Sequence, residues 1–134
     1  MQTCIFCKIV EGELPSYKVY EDKDVLAFLD INPTKAGHTL VIPKKHYANM
    51  EEVSEDDLKK VIVAVKKVGQ SFKNGLGVDS YNIVENNDPA AGQIIPHIHF
   101  HLIPRYDNDK LKSWPQAPYP EGKAEEVLEK IKIN

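Results

Sequence analysis

The sequence predicts an α+β fold with an antiparallel sheet, and two observations lead to this prediction. Short apolar runs separated by polar turns stand on both sides of one long segment, and such runs are typical of strands. In the long segment, apolar residues recur at intervals of three and four, which is typical of an amphipathic helix. Strands placed before and after one long helix favour pairing among the strands in an antiparallel sheet.

Three of the predicted strands precede the helix. Residues 19–21 and 25–30 are joined by the polar turn 22–24, which is typical of a connection between strands. Residues 37–43 form the third predicted strand, because residues 40–42 (Leu-Val-Ile) make its centre apolar.

The long helix is predicted to begin after Ser54, whose hydroxyl can accept a hydrogen bond from the first turn. Acidic residues 55–57 follow, where the helix dipole stabilises negative charge. Gly75 and Gly77 are expected to end the helix. The apolar positions at helical spacing are Leu58, Val61, Ile62, Val65, Val68 and Phe72.

The rest of the chain supplies two more strands and a short helix. Residues 80–85 form the fourth predicted strand and residues 96–104 the fifth, with the polar loop 86–93 between them. Residues 124–131 form a short terminal helix.

Composition limits the possible classes of protein. A length of 134 residues, 42% of them hydrophobic, suits a single domain over residues 1–134. The net charge of −3 gives no positive field for nucleic acid. No apolar run is long enough for a bilayer and no signal pattern opens the chain, so we expect a cytoplasmic protein without a membrane partner. Cys4 and Cys7 are too few and too close together to staple a secreted fold.

Three histidines alternate with apolar residues in the fifth predicted strand. His97, His99 and His101 would share one face, opposite Ile98 and Phe100. Same-face neighbours on a strand lie about 7 Å apart and the outer pair about 13 Å apart, so one metal ion can bind two neighbouring imidazoles but not all three. The row therefore indicates two separate roles, and the alternative is a solvated polar face of an edge strand.

Cys4-x-x-Cys7 is a second candidate site, since two thiolates at this spacing can bind one metal. A redox pair and two ordinary buried thiols are the alternatives, although no βαβ pattern typical of a thioredoxin-like protein follows. Tetrahedral zinc needs two further ligands, and the candidates are the five histidines of the chain: His38, His46, His97, His99 and His101.

The loop 88–93 (Asp-Pro-Ala-Ala-Gly-Gln) directly precedes the histidines. Glycine and turn residues allow backbone N–H groups to converge on an anion, although most loops of this composition are only turns. Its position upstream of three imidazoles favours a phosphate site.

Together these segments resemble the histidine triad (HIT) family of nucleotide hydrolases and transferases, in its Hint-like branch with a zinc-binding Cys-x-x-Cys. Residues 97–103 match the signature His-φ-His-φ-His-φ-φ, where φ is apolar, and residues 5–9, 29–33 and 37–46 extend the match. The resemblance covers about residues 4–106 and leaves a variable C-terminal segment, 107–134. It implies the HIT fold, a five-stranded antiparallel sheet with one long helix and here a short C-terminal helix, and a homodimer.

The resemblance also implies roles for single residues. His99 would attack the α-phosphorus of a purine nucleotide, His101 would contact the phosphate, and His38 would support them. Asp30 would accept hydrogen bonds from the ribose. The phosphate pocket would be lined by Asn86, Gly92, Gln93 and the backbone of Ile94. The base slot would be formed by Ile5, Phe6, Ile9, Phe28 and Ile31, for each of which plain core packing is an equal alternative.

Zinc-carrying relatives imply a metal site made of Cys4, Cys7, His46 and His97. Four protein ligands leave no open position, so this zinc would be structural.

The resemblance predicts hydrolysis of purine nucleoside phosphoramidates, or of dinucleoside polyphosphates and adenylates, through a nucleotidyl-histidine intermediate. Ile94 departs from the family, because many relatives carry serine there. That departure favours a first alternative, a nucleotide-binding regulatory module with little turnover. A second alternative is a catalytic metal centre on the histidine row.

Overall fold

The computed structural model describes residues 3–133 and contains five strands and three α-helices within them. The elements in chain order are α1 (Ile5–Val10), β1 (Lys18–Glu21), β2 (Val25–Leu29), β3 (Thr39–Pro43), α2 (Glu55–Ser71), β4 (Ser80–Glu85), β5 (Phe100–Arg105) and α3 (Lys123–Ile131). The strands form one antiparallel sheet in the order β1-β2-β3-β5-β4. The predicted fold class, a five-stranded antiparallel sheet with one long helix and a short C-terminal helix, is confirmed.

Helix α2 begins as its sequence predicts. The Ser54 hydroxyl accepts a hydrogen bond from the Asp57 N–H at 3.1 Å, and three acidic residues occupy the first turn. The helix continues through one π-helical turn (Phe72–Leu76) and ends at Gly77, whose left-handed φ of 66° suits glycine. Gly69 lies against the Tyr81 ring of β4, with no room for a Cβ atom between them. The helix therefore packs closely on the sheet.

Each face of the sheet is covered by a different helix. On one face α2 packs over a buried cluster made of Val25, Ala27, Val41, Val53, Val61, Ala64, Val65, Val68, Phe72, Ile98, Phe100 and Leu102. On the other face Phe6 of α1 packs on Leu26, Phe28, Leu40 and Ile42. Burial of these apolar side chains is the main stabilising contribution to the fold. Because α1 covers only part of its face, the neighbouring strand ends remain open to ligands.

Two segments differ from the sequence-based expectations. Helix α1 was not predicted, because six residues are too few to show helical periodicity. The predicted fifth strand, 96–104, begins only at Phe100 and ends at Arg105. Residues 96–99 leave the ladder because the Ile98 N–H donates to the Tyr47 carbonyl at 2.7 Å instead of to a neighbouring strand. Apolar alternation nevertheless persists, since Ile98, Phe100 and Leu102 share one core cluster.

None of the helices within residues 3–133 combines the length and the apolar character needed to cross a bilayer.

Candidate active site and metal cluster

A cavity of about 920 Å³ lies beside α1, where β2 ends and residues 86–95 approach the histidines. Eleven of the predicted site residues line it: Ile5, Phe6, Ile9, Phe28, Asp30, Ile31, Asn86, Gly92, Ile94, His99 and His101. Segments far apart in the sequence therefore meet at one place. Further lining residues that the sequence did not indicate include Leu14, Tyr17 and Asn32. Leu14 and Tyr17 lie between α1 and β1, where no motif marks them, and Asn32 lies in the matched segment 29–33 but was given no role.

His99 lines the cavity as a neutral imidazole with a defined tautomer. Its Nδ1 lies 2.8 Å from the His97 carbonyl oxygen, which can only accept, so Nδ1 carries the proton and donates. The lone pair is then on Nε2. Burial lowers the pKa of His99, which keeps the ring uncharged near neutral pH. The result is an imidazole nitrogen ready to act as a nucleophile.

A chain of hydrogen bonds sets the tautomer of His101. The Thr34 N–H donates to His38 Nδ1 at 3.0 Å, so the proton of His38 is on Nε2. That Nε2 lies 2.9 Å from His101 Nδ1 and donates to it. His101 therefore carries its own proton on Nε2. This chain leaves His101 Nε2–H as a donor in the same cavity as the His99 lone pair.

Burial keeps this pair of rings neutral. It lowers the pKa of His38, and it lowers the pKa of His101 to about 4. The Asp30 carboxylate lies 3.7 Å from His38 Nε2 and raises the pKa of that ring, but less than burial lowers it. His38 itself does not line the cavity and acts through His101.

The loop before β5 is held by a buried glutamine. The Gln93 side-chain oxygen accepts from the Asp88 N–H at 2.7 Å, and its amide donates to the carbonyls of Ala48 and Ile95. The Gln93 side chain thus fixes the shape of the loop and does not line the cavity. Gly92 adopts a left-handed φ of 94° at the turn that brings the loop back towards Asn86.

The four residues of the predicted metal site lie together at the other end of the histidine row. Their ligand atoms are all within 4.8 Å of one another. His97 Nδ1 lies 3.2 Å from His46 Nδ1 and 3.5 Å from Cys4 Sγ, and Cys7 Sγ lies 3.3 Å from His46 Nδ1. This cluster of Cys4, Cys7, His46 and His97 is a set of donor atoms that could hold a metal ion.

The surroundings of the cluster support metal binding. His97 Nε2 donates to the Pro43 carbonyl at 2.8 Å, so its Nδ1 lone pair faces the cluster. Burial raises the pKa of the Cys7 thiol to about 11, and a metal cation would reverse that preference by binding the thiolate.

Asp30, His38 and His101 also lie close enough together to hold an ion. The facing nitrogens of the two histidines are already joined by a hydrogen bond whose direction the Thr34 amide sets. This arrangement argues against the alternative of a catalytic metal centre on the histidine row.

The predicted variable segment borders a second cavity of about 680 Å³, to which it contributes Lys112, Ser113 and Trp114. Asn86 lines both cavities, so the two spaces adjoin.

The chain matches known proteins over most of its length. The family model for the HIT domain matches residues 11–108. A HIT-like protein of Methanocaldococcus jannaschii is 58% identical over 106 residues, which are 79% of this chain and 81% of that protein. An adenosine 5′-monophosphoramidase of Schizosaccharomyces pombe is 43% identical over 136 residues, covering 97% of this chain and 99% of that protein.

The fold also matches that of a solved structure from the same family. The crystal structure of a zinc-bound histidine triad family protein from Mycobacterium smegmatis superposes with a TM-score of 0.78 at 37% identity, covering 87% of this chain and 84% of that one. The match of the family model, the sequence identities and the shared fold lead to one conclusion: this chain belongs to the HIT family.

Proposed function

We propose that this chain is a HIT-family nucleotide hydrolase that cleaves the P–N bond of purine nucleoside phosphoramidates through a covalent nucleotidyl-His99 intermediate. The main support is the pairing of a lone pair on His99 Nε2 with a donor on His101 Nε2 in one cavity. The name of the Schizosaccharomyces pombe relative points to the same reaction. Dinucleoside polyphosphates and adenylates also present an α-phosphate and are further candidate substrates.

The first step forms a bond between His99 Nε2 and the α-phosphorus while the bond from phosphorus to the leaving amine breaks. The amine departs with its electron pair and takes a proton from water. The N–H of His101 stabilises the charge on a phosphoryl oxygen, and it does so without a net charge of its own because burial keeps the ring neutral. The His99 ring becomes positively charged, and the His97 carbonyl that accepts from its Nδ1–H stabilises that charge.

In the second step water attacks the phosphorus and the bond to His99 breaks. The water gives up a proton, the nucleoside monophosphate leaves, and His99 returns to its neutral form. One difficult displacement is thereby divided into two easier ones, since a phosphoramidate on imidazole is readily hydrolysed. The net reaction consumes one water and yields a nucleoside monophosphate and an amine.

The cavity fits the rest of a purine nucleotide. Ile5, Phe6, Ile9 and Phe28 form an apolar slot that suits a flat base. Asp30 lines the cavity at the end of β2, two strands from the histidines, where a carboxylate can accept from ribose hydroxyls. The Asp30 carboxylate lies within 4.8 Å of a ring nitrogen of His101, so a ribose bound to it would lie directly beside the histidines.

The test compares the wild type with His99→Ala and His99→Gln on adenosine 5′-phosphoramidate. We expect both variants to lose at least about a thousandfold in kcat/KM, because the nucleophile is absent. Adduct analysis of the wild type after rapid quenching in alkali, in which a P–N bond to histidine survives, should show one nucleotidyl group on the peptide that contains residue 99. Equal rates in wild type and variants would refute the proposal.

We also propose that the cluster of Cys4, Cys7, His46 and His97 binds a structural zinc ion. Zinc bonds of about 2.0 Å to nitrogen and about 2.3 Å to sulfur in a tetrahedron place two nitrogens about 3.3 Å apart and a nitrogen and a sulfur about 3.5 Å apart. The observed distances of 3.2 Å between nitrogens and 3.3–3.6 Å between nitrogen and sulfur are close to these values. Zinc bound there would tie α1 to the sheet and to residue 97.

A homodimer through β4 is a further proposal. β4 is an edge strand whose outward residues include the exposed Ile83, whereas the opposite edge, β1, carries the charged Lys18 and Glu21 that discourage pairing. Ile83→Lys should give a monomer in light scattering, and Val19→Lys on β1 should not.

The proposed compartment is the cytoplasm, because free Cys4 and Cys7 persist where thiols stay reduced.

A nucleotide-binding module with little turnover is the second candidate function, and Ile94 favours it. This residue lines the cavity without a hydroxyl that could donate to a phosphate or to a leaving group. This second function predicts that the protein binds adenosine monophosphate with micromolar affinity and hydrolyses none of the three substrate classes.

A further inference from the structure

Asp88 has a backbone conformation that residues with a side chain rarely adopt. Its φ is 70° and its ψ is 163°. Pro89 favours an extended ψ in the residue before it, which Asp88 satisfies, so the strain lies in φ. A positive φ combined with an extended ψ is almost confined to glycine, and another residue keeps it only where its surroundings enforce it. Residues strained in this way cluster at active sites and at sites that hold ligands.

Four hydrogen bonds hold Asp88 in this conformation. Its N–H donates to the Gln93 side-chain oxygen at 2.7 Å, and its carbonyl accepts from the N–H groups of Ala91 at 3.1 Å and Gln93 at 3.2 Å. Its carboxylate accepts from the Asn49 amide at 3.1 Å. Rotation of φ into the negative range would turn the N–H relative to the carbonyl and the side chain, so the four bonds could not all persist. These bonds therefore offset the strain.

The loop that begins at Asp88 forms part of the cavity wall. Gly92 lines the cavity from within this loop, and Asn86 and Ile94 line it on either side. The Gly92 N–H donates to the Pro89 carbonyl at 3.0 Å, so the loop is shaped by bonds within its own backbone. A negative φ at Asp88 would reorient the loop and move this part of the wall.

We propose that Asp88 is a positioning residue for nucleotide binding, whose strained backbone, held by Gln93 and Asn49, keeps loop 88–93 in the shape that completes the cavity. This inference rests on the proposed function. Asp88 does not itself line the cavity, so it acts through the loop. Where a weaker hold lets the loop relax, the measured dissociation constant for the nucleotide rises by the inverse of the fraction of molecules whose loop is still held.

The experiment compares Asp88→Ala with Asp88→Gly. Both remove the carboxylate, but only glycine adopts the observed φ without strain. We expect Asp88→Ala to bind adenosine monophosphate about tenfold more weakly than the wild type in calorimetry, and Asp88→Gly to remain within about twofold of the wild type. The alanine variant should also have the lower melting temperature of the two, because it retains the strain.

Steady-state kinetics on adenosine 5′-phosphoramidate separate positioning from a merely structural role. In Asp88→Ala we expect KM to rise about tenfold while kcat changes by less than about twofold, because bound nucleotide selects the held loop. A merely structural role would instead lower kcat through loss of folded protein, and it would leave KM and the dissociation constant unchanged.

Lys110 supplies the matched control, because it is exposed, has a φ of 64° and lines neither cavity. Lys110→Ala and Lys110→Gly should differ in melting temperature but bind adenosine monophosphate equally. If Asp88→Ala fails to fold, Asn49→Ala takes its place, since it removes the partner of the carboxylate. Asn49→Ala should weaken binding of adenosine monophosphate, and Asp88→Gly added to it should restore binding.

Equal affinities of Asp88→Ala and Asp88→Gly, or a failure of Asp88→Gly to restore binding in Asn49→Ala, would overturn the inference. A wild type that binds adenosine monophosphate but hydrolyses no phosphoramidate would overturn the proposed hydrolase, and the affinities would still decide the role of Asp88. A wild type that binds no adenosine monophosphate would overturn both.

Discussion

The metal cluster and the candidate active site both take histidines from one short segment, residues 97–101. They differ in which ring nitrogen of the histidine donates to a backbone carbonyl. In the metal cluster, Pro43 accepts from Nε2 of His97, and the opposite lone pair faces another imidazole and two sulfurs. In the candidate active site, the His97 carbonyl accepts from Nδ1 of His99, and a donor on His101 shares the cavity with the remaining lone pair. Converging lone pairs suit a cation, whereas a lone pair beside a donor suits reaction at a phosphate.

The comparison shows that residue type alone does not assign a histidine to a role. His97 and His99 are both buried, and burial lowers the pKa of both, in the case of His97 to about 4. The two rings differ in the backbone carbonyl that accepts from them. Pro43 accepts from Nε2 of His97, and His97 accepts from Nδ1 of His99.

The largest expected effect comes from substituting one residue in each group and comparing the two variants. Cys7→Ser should lose the metal and at least about 3 kcal/mol of unfolding free energy, because metal binding is coupled to folding. His99→Ala should keep one metal per chain and lose activity, with a smaller loss of unfolding free energy than Cys7→Ser. Elemental analysis and thermal unfolding on the same preparations measure both.

Chelator-treated wild type is the control for the serine substitution itself. If the metal is responsible, chelation should destabilise the wild type and leave Cys7→Ser nearly unchanged. If the wild type purified without chelator contains no metal, the proposal that this cluster binds a metal ion is contradicted.

Much of the architecture was predictable because it depends on local chemistry. The Ser54 cap, the acidic first turn and the apolar spacing of α2 are all within one segment, and the fourth strand has the bounds that its sequence predicts. Helix α1 escaped prediction because it depends on a distant contact, the packing of Phe6 on Phe28 and Leu40, in addition to six residues of its own.

The candidate active site was predictable as a group of neighbouring residues, but the positions of the protons on its histidines were not. Alternation placed His99 and His101 together, and the resemblance to the family added His38. The tautomers depend on the Thr34 amide and on the carbonyls of Pro43 and His97, and in two of the three cases these contacts join distant or irregular segments. No sequence pattern specifies such contacts.

A smaller effect is expected for pH. Burial favours the neutral form of His101, with a pKa of about 4 in the folded protein against 6.5 in an unperturbed imidazole. Between these values the unfolded chain binds a proton there that the folded protein does not, so stability falls as the pH is lowered through this window. From pH 7 to pH 5 this residue should remove about 1–2 kcal/mol of unfolding free energy.

His101→Gln isolates that contribution, because glutamine does not titrate while the other histidines remain in both proteins. Denaturant unfolding at the two pH values should show a smaller loss in the variant by about 1–2 kcal/mol. Equal losses in the two proteins would mean that His101 is as easily protonated in the folded state as in the unfolded chain.

The smallest effect concerns the contact between the two groups. Cys4 caps α1, whose Ile5, Phe6 and Ile9 line the cavity, and the Phe6 ring lies edge-on to both His97 and His99. Metal loss would release α1 and the carbonyl that orients His99. We expect chelation to weaken binding of adenosine monophosphate about tenfold, measured by calorimetry, a coupling of about 1.4 kcal/mol.

Reciprocity makes this last expectation strict, because two sites coupled in binding must affect each other equally. Saturating adenosine monophosphate should therefore tighten metal binding by the same factor, measured by competition with a chelating dye. His99→Ala keeps α1 and the metal ligands, so it should retain the coupling although it cannot turn over substrate. Identical nucleotide affinities with and without metal would show that the two groups of histidines share a segment of chain but are energetically independent.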